Sequence, residues 1–189
     1  VHEFLGVPFA AAPTGPLRFK SPQKPTSWGP EVKEARERGF FCPQHPVSYV
    51  TKQMQSEDCL TLSIEIEKAI KMKTRLPVLV WIHGGSFHAD WPDPSLYDGT
   101  RLAAIGEVIV VTMNYRLGAA GALSLSEFHT KTSTISVSKL VPGNQAMLDQ
   151  QAAIEFIRDN ADALGADVGR ISVFGQSSGG VHAAFHLVS

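Results

Sequence analysis

The sequence has almost no surplus of charge. Seventeen Lys and Arg stand against eighteen Asp and Glu, a net charge of -1 over 189 residues. Proteins that bind nucleic acid or anionic membrane surfaces carry a basic excess, so neither partner is expected. Long hydrophobic runs are missing too. No stretch approaches the roughly 18 apolar residues that a membrane span needs. Internal repeats, low-complexity tracts and N-x-S/T acceptor sites are absent. Cysteine is scarce: only Cys42 and Cys59 occur. No second ligand pair is spaced to join them, so neither a metal nor a cofactor is expected. No signal-peptide pattern opens the chain, and Val1-His2-Glu3-Phe4 reads like interior sequence. The expectation is a partial domain spanning 1–189, truncated at both ends.

Hydrophobic residues make up 43% and charged residues 19%, which supports a sizeable core and excludes disorder. The two cysteines bracket a polar, loop-like stretch. They are either buried thiols or a disulfide, and a disulfide would imply an oxidising compartment.

Proline and glycine punctuate residues 1–30, which predicts an ordered surface loop. Residues 31–59 continue as loop. Leu60 to Ile66 alternates apolar and polar residues, which predicts a strand with one wet face. Pro77 to His83 and Val108 to Asn114 are continuous apolar runs, as central parallel strands require. A short helix is expected over Leu96 to Ile105, a turn over Gly118 to Gly121, and loop over 124–141. Gly143-Asn144 opens a helix whose apolar stripe is Ala146, Leu148, Ala152, Ala153, Phe156 and Ile157. A strand over Ile171 to Phe174 and a helix from Val181 to Val188 follow. Alternating strands and helices predict an open, mostly parallel α/β sheet, with chemistry at the carboxyl ends of its strands.

One such end carries Gly175-Gln176-Ser177-Ser178-Gly179, a G-x-S-x-G between a strand and a helix. A serine on so tight a turn is pushed out toward a substrate, and side chains at the flanking positions would strike the neighbouring strand and helix. Ser177 is the candidate nucleophile. An acyl-transfer serine also needs oxyanion donors and a base. The backbone amides of Ser178, Gly85 and Ser86 are the candidate donors, the last two from His83-Gly84-Gly85-Ser86 at an earlier strand end. His83 suits packing better than catalysis. No histidine suits the base: His182 and His186 fall on the helix behind the serine, and histidines 2, 45, 88 and 129 lie in upstream loops.

These motifs, with Gly6-Val7-Pro8-Phe9-Ala10, Leu17-Arg18-Phe19, Ser56-Glu57-Asp58-Cys59-Leu60, Asn114-Tyr115-Arg116-Leu117-Gly118 and Leu148-Asp149-Gln150, occur in one order. In that order the chain resembles the N-terminal part of the type-B carboxylesterases, the group that includes cholinesterases. The resemblance implies an incomplete α/β-hydrolase fold, a mostly parallel central sheet flanked by helices. It implies hydrolysis of a small-molecule carboxylic ester through an acyl-enzyme on Ser177, with the acid and histidine partners outside this chain. It also implies a Cys42–Cys59 disulfide, ion pairs of Arg18 with Glu57 and of Arg116 with Asp149, and a secreted or secretory-pathway protein. It says nothing of oligomeric state.

Several positions depart from the family pattern. Ser86 stands where a third glycine is usual, which predicts a narrower acyl site or slower turnover. Ser178 replaces alanine. Gln176 replaces the glutamate of cholinesterases, and Tyr49, ten residues before Cys59, stands where their choline-binding tryptophan is expected. Tyr49 and Gln176 are thus candidate substrate contacts of a general esterase. The competing readings are a non-catalytic, neuroligin-like adhesion or scaffold relative, and an inactive truncated product whose bared apolar edge makes it poorly soluble.

Overall fold

The computed structural model describes residues 1–45, 51–67, 74–89, 97–125, 141 and 143–188. Its centre is a five-stranded sheet in the order β1-β2-β4-β3-β5. The strands are β1 His2–Pro8, β2 Thr61–Ile66, β3 Leu76–Ile82, β4 Ile109–Met113 and β5 Ala166–Gly175. β4, β3 and β5 pair in parallel, whereas β2 runs against both of its neighbours. The sheet is therefore mixed but mostly parallel, as the α/β pattern predicts.

The helices, numbered among the described residues, are α1 Thr100–Gly106, α2 Gly118–Ala122, α3 Gln145–Asp159, α4 Ala161–Leu164 and α5 Ser178–Phe185. On α3, the predicted stripe buries Ala153 and Ile157 completely. They meet Leu62, Ile64, Ile66, Val78, Val80, Ile109 and Val111 from one face of the sheet, which forms the main core. Each such aliphatic side chain contributes about 1.5–3 kcal/mol by leaving water.

Four expectations need correction. Residues 2–8 are a strand, not a loop: the prolines begin only at Pro8, so the amides before it are free to pair with β2. Gly6, with φ +66, marks the bulge that interrupts this pairing between Phe4 and Val7. β2 has no wet face, because all of its residues after Thr61 are buried. It is an interior strand, and Arg38, Tyr97 and α1 close over its polar side. Gly118 to Ala122 forms a short helix instead of a bare turn. β5 starts at Ala166 and is longer than the apolar run, because backbone pairing with Leu76 of β3 continues past the hydrophobic residues. Of the expected 96–105 helix, residue 96 lies outside the described residues, 97–99 precede the helix and α1 begins at Thr100; most of the expected 124–141 loop lies outside the described residues.

Candidate active site

β5 ends at Gly175, and two residues later Ser177 caps α5 with φ 55 and ψ -126. That left-handed turn is costly for a residue with a Cβ and persists only where its surroundings hold it. The hold is visible. A Cβ on Gly175 would collide with the backbone of Gly179 and with the Ile82 carbonyl, and one on Gly179 would strike the Ile82 and His83 carbonyls. With glycine at both positions, the helix start lies against the end of β3. Ser177 is exposed, while Ser178 behind it is buried.

The loop after β3 reaches the same place. A Cβ on Gly84 would meet the Gln176 side chain and the Cβ of Ser177, so loop and elbow are in contact. Gly85 takes φ +114, and its carbonyl receives the amides of His88 at 3.2 Å and Ala89 at 2.9 Å. Ser86 and Phe87 both stand at positive φ, 55° and 65°. Among the described residues, the amides of Gly85, Ser86 and Ser178 donate to no backbone carbonyl outside helices and strands. The Phe87 amide donates instead to Ser178 Oγ at 3.3 Å. The sequence reading gave Ser178 only an amide role; this hydroxyl contact joins residues too far apart in sequence for spacing to reveal.

A buried stack supports the pair from behind. His83 lies ring to ring on Tyr115, 4.2 Å between centroids, and its Nδ1–H donates to the Gly84 carbonyl at 2.8 Å. The Tyr115 hydroxyl donates to the His83 carbonyl at 2.7 Å. His182 meets the edges of Tyr115 and Phe87. The Gln150 amide nitrogen donates to His182 Nδ1 at 2.7 Å, and its oxygen accepts from His186 Nε2 at 3.0 Å. A ring nitrogen that must accept cannot carry a proton. Burial first, then the neighbouring His186 and His83, push His182 down to about 4. Burial lowers His186 as well. Both histidines are therefore tied to α3.

Gln176 is exposed, with its side-chain oxygen beside Gly84. Tyr49 and His129 lie outside the described residues. A cleft of about 60 Å³ opens at the carboxyl ends of β3 and β4, lined by Ser63, Trp81, His83, Thr112 and Asn114 among others. Ser177 is not part of its lining. No cluster of His, Cys, Asp or Glu among the described residues is arranged to hold a metal ion, and no helix among them is long and apolar enough to cross a membrane.

The scaffold contacts implied by the resemblance are present. Cys42 and Cys59 are bonded. Arg18 grips Glu57 through two hydrogen bonds of 2.5 and 2.6 Å at the surface. Arg116 grips Asp149 through bonds of 2.7 and 2.6 Å in the interior, and Asp149 also accepts the Arg116 amide. Arg116 Nη1 donates further to the Lys20 carbonyl at 2.7 Å, tying down the N-terminal loop.

Known proteins are similar to this chain in sequence and fold. Over 97% of the chain it is 43% identical to a para-nitrobenzyl esterase of Bacillus subtilis, of which it covers 36%. It is 38% identical to pyrethroid hydrolase Ces2e of Rattus norvegicus and 39% identical to an acetylcholinesterase of Gallus gallus, covering 33% and 24% of them. A solved structure titled PNB esterase superposes with a TM-score of 0.80 at 42% identity, over 97% of this chain and 36% of the other. The chain thus spans about a third or less of the length of these relatives. The pattern of the carboxylesterase family matches residues 1–189 without remainder, and with the strand-to-helix serine turn and the glycine loop beside it, the chain belongs to that family.

Proposed function

We propose that this chain is the nucleophile-bearing part of a serine carboxylesterase. The observation that carries the proposal is Ser177, exposed in a strained turn at the start of α5 and in contact with a glycine loop. Ser177 Oγ attacks the carbonyl carbon of a small-molecule ester, and its proton passes to a histidine supplied by chain outside residues 1–189. The negative charge on the carbonyl oxygen is met by the amides of Gly85, Ser86 and Ser178, aided by the positive end of α5. Collapse expels the alcohol, which takes up the proton, and leaves an acyl-enzyme. Water, deprotonated by the same base, then releases the acid and restores the serine. Gln176 and Tyr49 border the substrate in this reading. The Cys42–Cys59 bond supports folding in an oxidising compartment, and so a secreted or luminal protein.

A fluorophosphonate probe tests the reading directly. The full-length protein is expected to be labelled, and Ser177→Ala is expected to abolish labelling. A folded, unlabelled full-length protein would remove the esterase reading and leave a non-catalytic relative.

A further inference from the structure

We infer that the Ser178 hydroxyl is a positioning group for the oxyanion loop, a role that rests on the esterase reading and is separate from its amide. Ser86 and Phe87 are consecutive residues with side chains at φ 55 and 65. Each such residue costs about 1–3 kcal/mol and relaxes unless its neighbours fix it. Relaxation would rotate the peptide units on either side of Ser86, and one of them carries the Ser86 amide. An oxyanion donor must already point at the place where charge develops, so a small rotation is lost rate.

Phe87 is where the strain is countered. Its carbonyl accepts the Gly118 amide at 2.8 Å. Its ring packs edge-on against His182 at 5.1 Å between centroids. Its amide donates to Ser178 Oγ at 3.3 Å, and Ser178 is only 4% exposed. The first contact fixes the loop to α2, and the other two fix it to α5. Among the described residues, only the Ser178 bond ties the strained peptide to the residue that follows the nucleophile, so it sets the loop amides relative to the elbow. At 3.3 Å it is a long bond, so the expected effect is a few-fold change and not an abolition.

The substitution Ser178→Ala deletes the hydroxyl and keeps the amide. In the full-length protein we expect kcat to fall about fivefold on a simple ester while KM stays within about twofold. Hydrogen exchange of the Phe87 amide is expected to accelerate by a similar factor. Ser86→Gly removes the strain at φ 55, so the hydroxyl should matter less in its background. Adding Ser178→Ala to Ser86→Gly is expected to change kcat by no more than about twofold, a non-additivity that a merely structural role would not produce. An active, probe-labelled wild type whose Ser178→Ala variant keeps both its kcat and its Phe87 protection overturns the inference and spares the esterase reading. Additive losses in the double variant overturn it as well. An unlabelled wild type instead defeats the esterase reading, while the exchange measurement still decides whether the hydroxyl holds the loop.

Discussion

The two halves of the sheet treat their buried charges in opposite ways. In the parallel half, β4-β3-β5 with α3 and α5, the buried charges Arg116 and Asp149 pair, Gln150 bonds to His182 and His186, and Tyr115 and His83 bond to carbonyls, while Trp81 Nε1 and Gln145 Oε1 find no partner among the described residues. In the antiparallel half, β2 buries Glu65 completely, and neither carboxylate oxygen finds a hydrogen bond among the described residues. Arg38 approaches it to only 3.9 Å. Burial pushes Glu65 up to about 7; Arg38 opposes this, while Asp98 and Glu3 add to it. Backbone strain in the parallel half stands at Ser86, Phe87 and Ser177 beside the serine turn, and also at Glu107 and Asn144. The antiparallel half carries an unrelieved electrostatic cost far along the sheet from Ser177. Three residues at positive φ, Ser86, Phe87 and Ser177, stand together at the serine turn and its glycine loop, and the bonded His83, Tyr115 and His182 lie behind them.

The sharpest way to break this contrast is to unpair the buried ion pair. Asp149→Ala strands the Arg116 guanidinium, which is 3% exposed, and is expected to cost about 3–5 kcal/mol in urea unfolding of the full-length protein. A loss under about 1 kcal/mol would mean that the parallel half is not held together by its polar contacts.

The pH dependence of stability comes next. Glu65 keeps its proton to about pH 7 when folded but releases it near 4.5 when unfolded. Its contribution is thus full below pH 4.5 and declines as pH rises to 7, by roughly 3 kcal/mol in all. His182 runs the other way: folded near 4 against 6.5 unfolded, it contributes fully above 6.5 and loses that stability as pH falls to 4. Glu65→Gln should flatten the loss toward neutral pH, and His182→Gln the loss toward acid. Thermal melts from pH 4 to 8 check both, and an unchanged profile in Glu65→Gln would show that the carboxylate is relieved in solution.

The smallest effect is expected at the surface. Arg18→Gln breaks a pair with the same two-bond geometry as the interior one, yet water screens it. A melting-temperature drop of no more than about 2 °C is expected. A drop as large as that of Asp149→Ala would make geometry, and not burial, the deciding factor.

How much of this was legible in the sequence follows the same division. The apolar runs at Pro77 to His83 and Val108 to Asn114 named the central strands, because strands covered on both faces have no other pattern. Gly175 to Gly179 named the elbow, because few turns require glycine so strictly. β1 was hidden by the proline signal that begins where the strand ends. The wet face assigned to β2 was wrong because alternation reports side-chain chemistry, not what the rest of the chain lays over it. Glu65 became buried only when Arg38 and the residues around Gly99 closed in, and no local spacing encodes that. The Ser178 to Phe87 bond was equally unreadable, since it exists only after β3 and β5 have paired.

The close approach of Gly179 to the carbonyls of Ile82 and His83 also limits what mutation can explore. A methyl group there would lever the start of α5 away from the sheet, whatever residue stands at position 177. The two glycines of the turn are thus required by packing, independently of any reaction at Ser177. On the esterase reading proposed above, a relative that lost hydrolysis is expected to keep Gly175 and Gly179 while position 177 drifts. A survey of tolerated substitutions should find the glycines frozen in active and inactive descendants alike, and only the serine separating them.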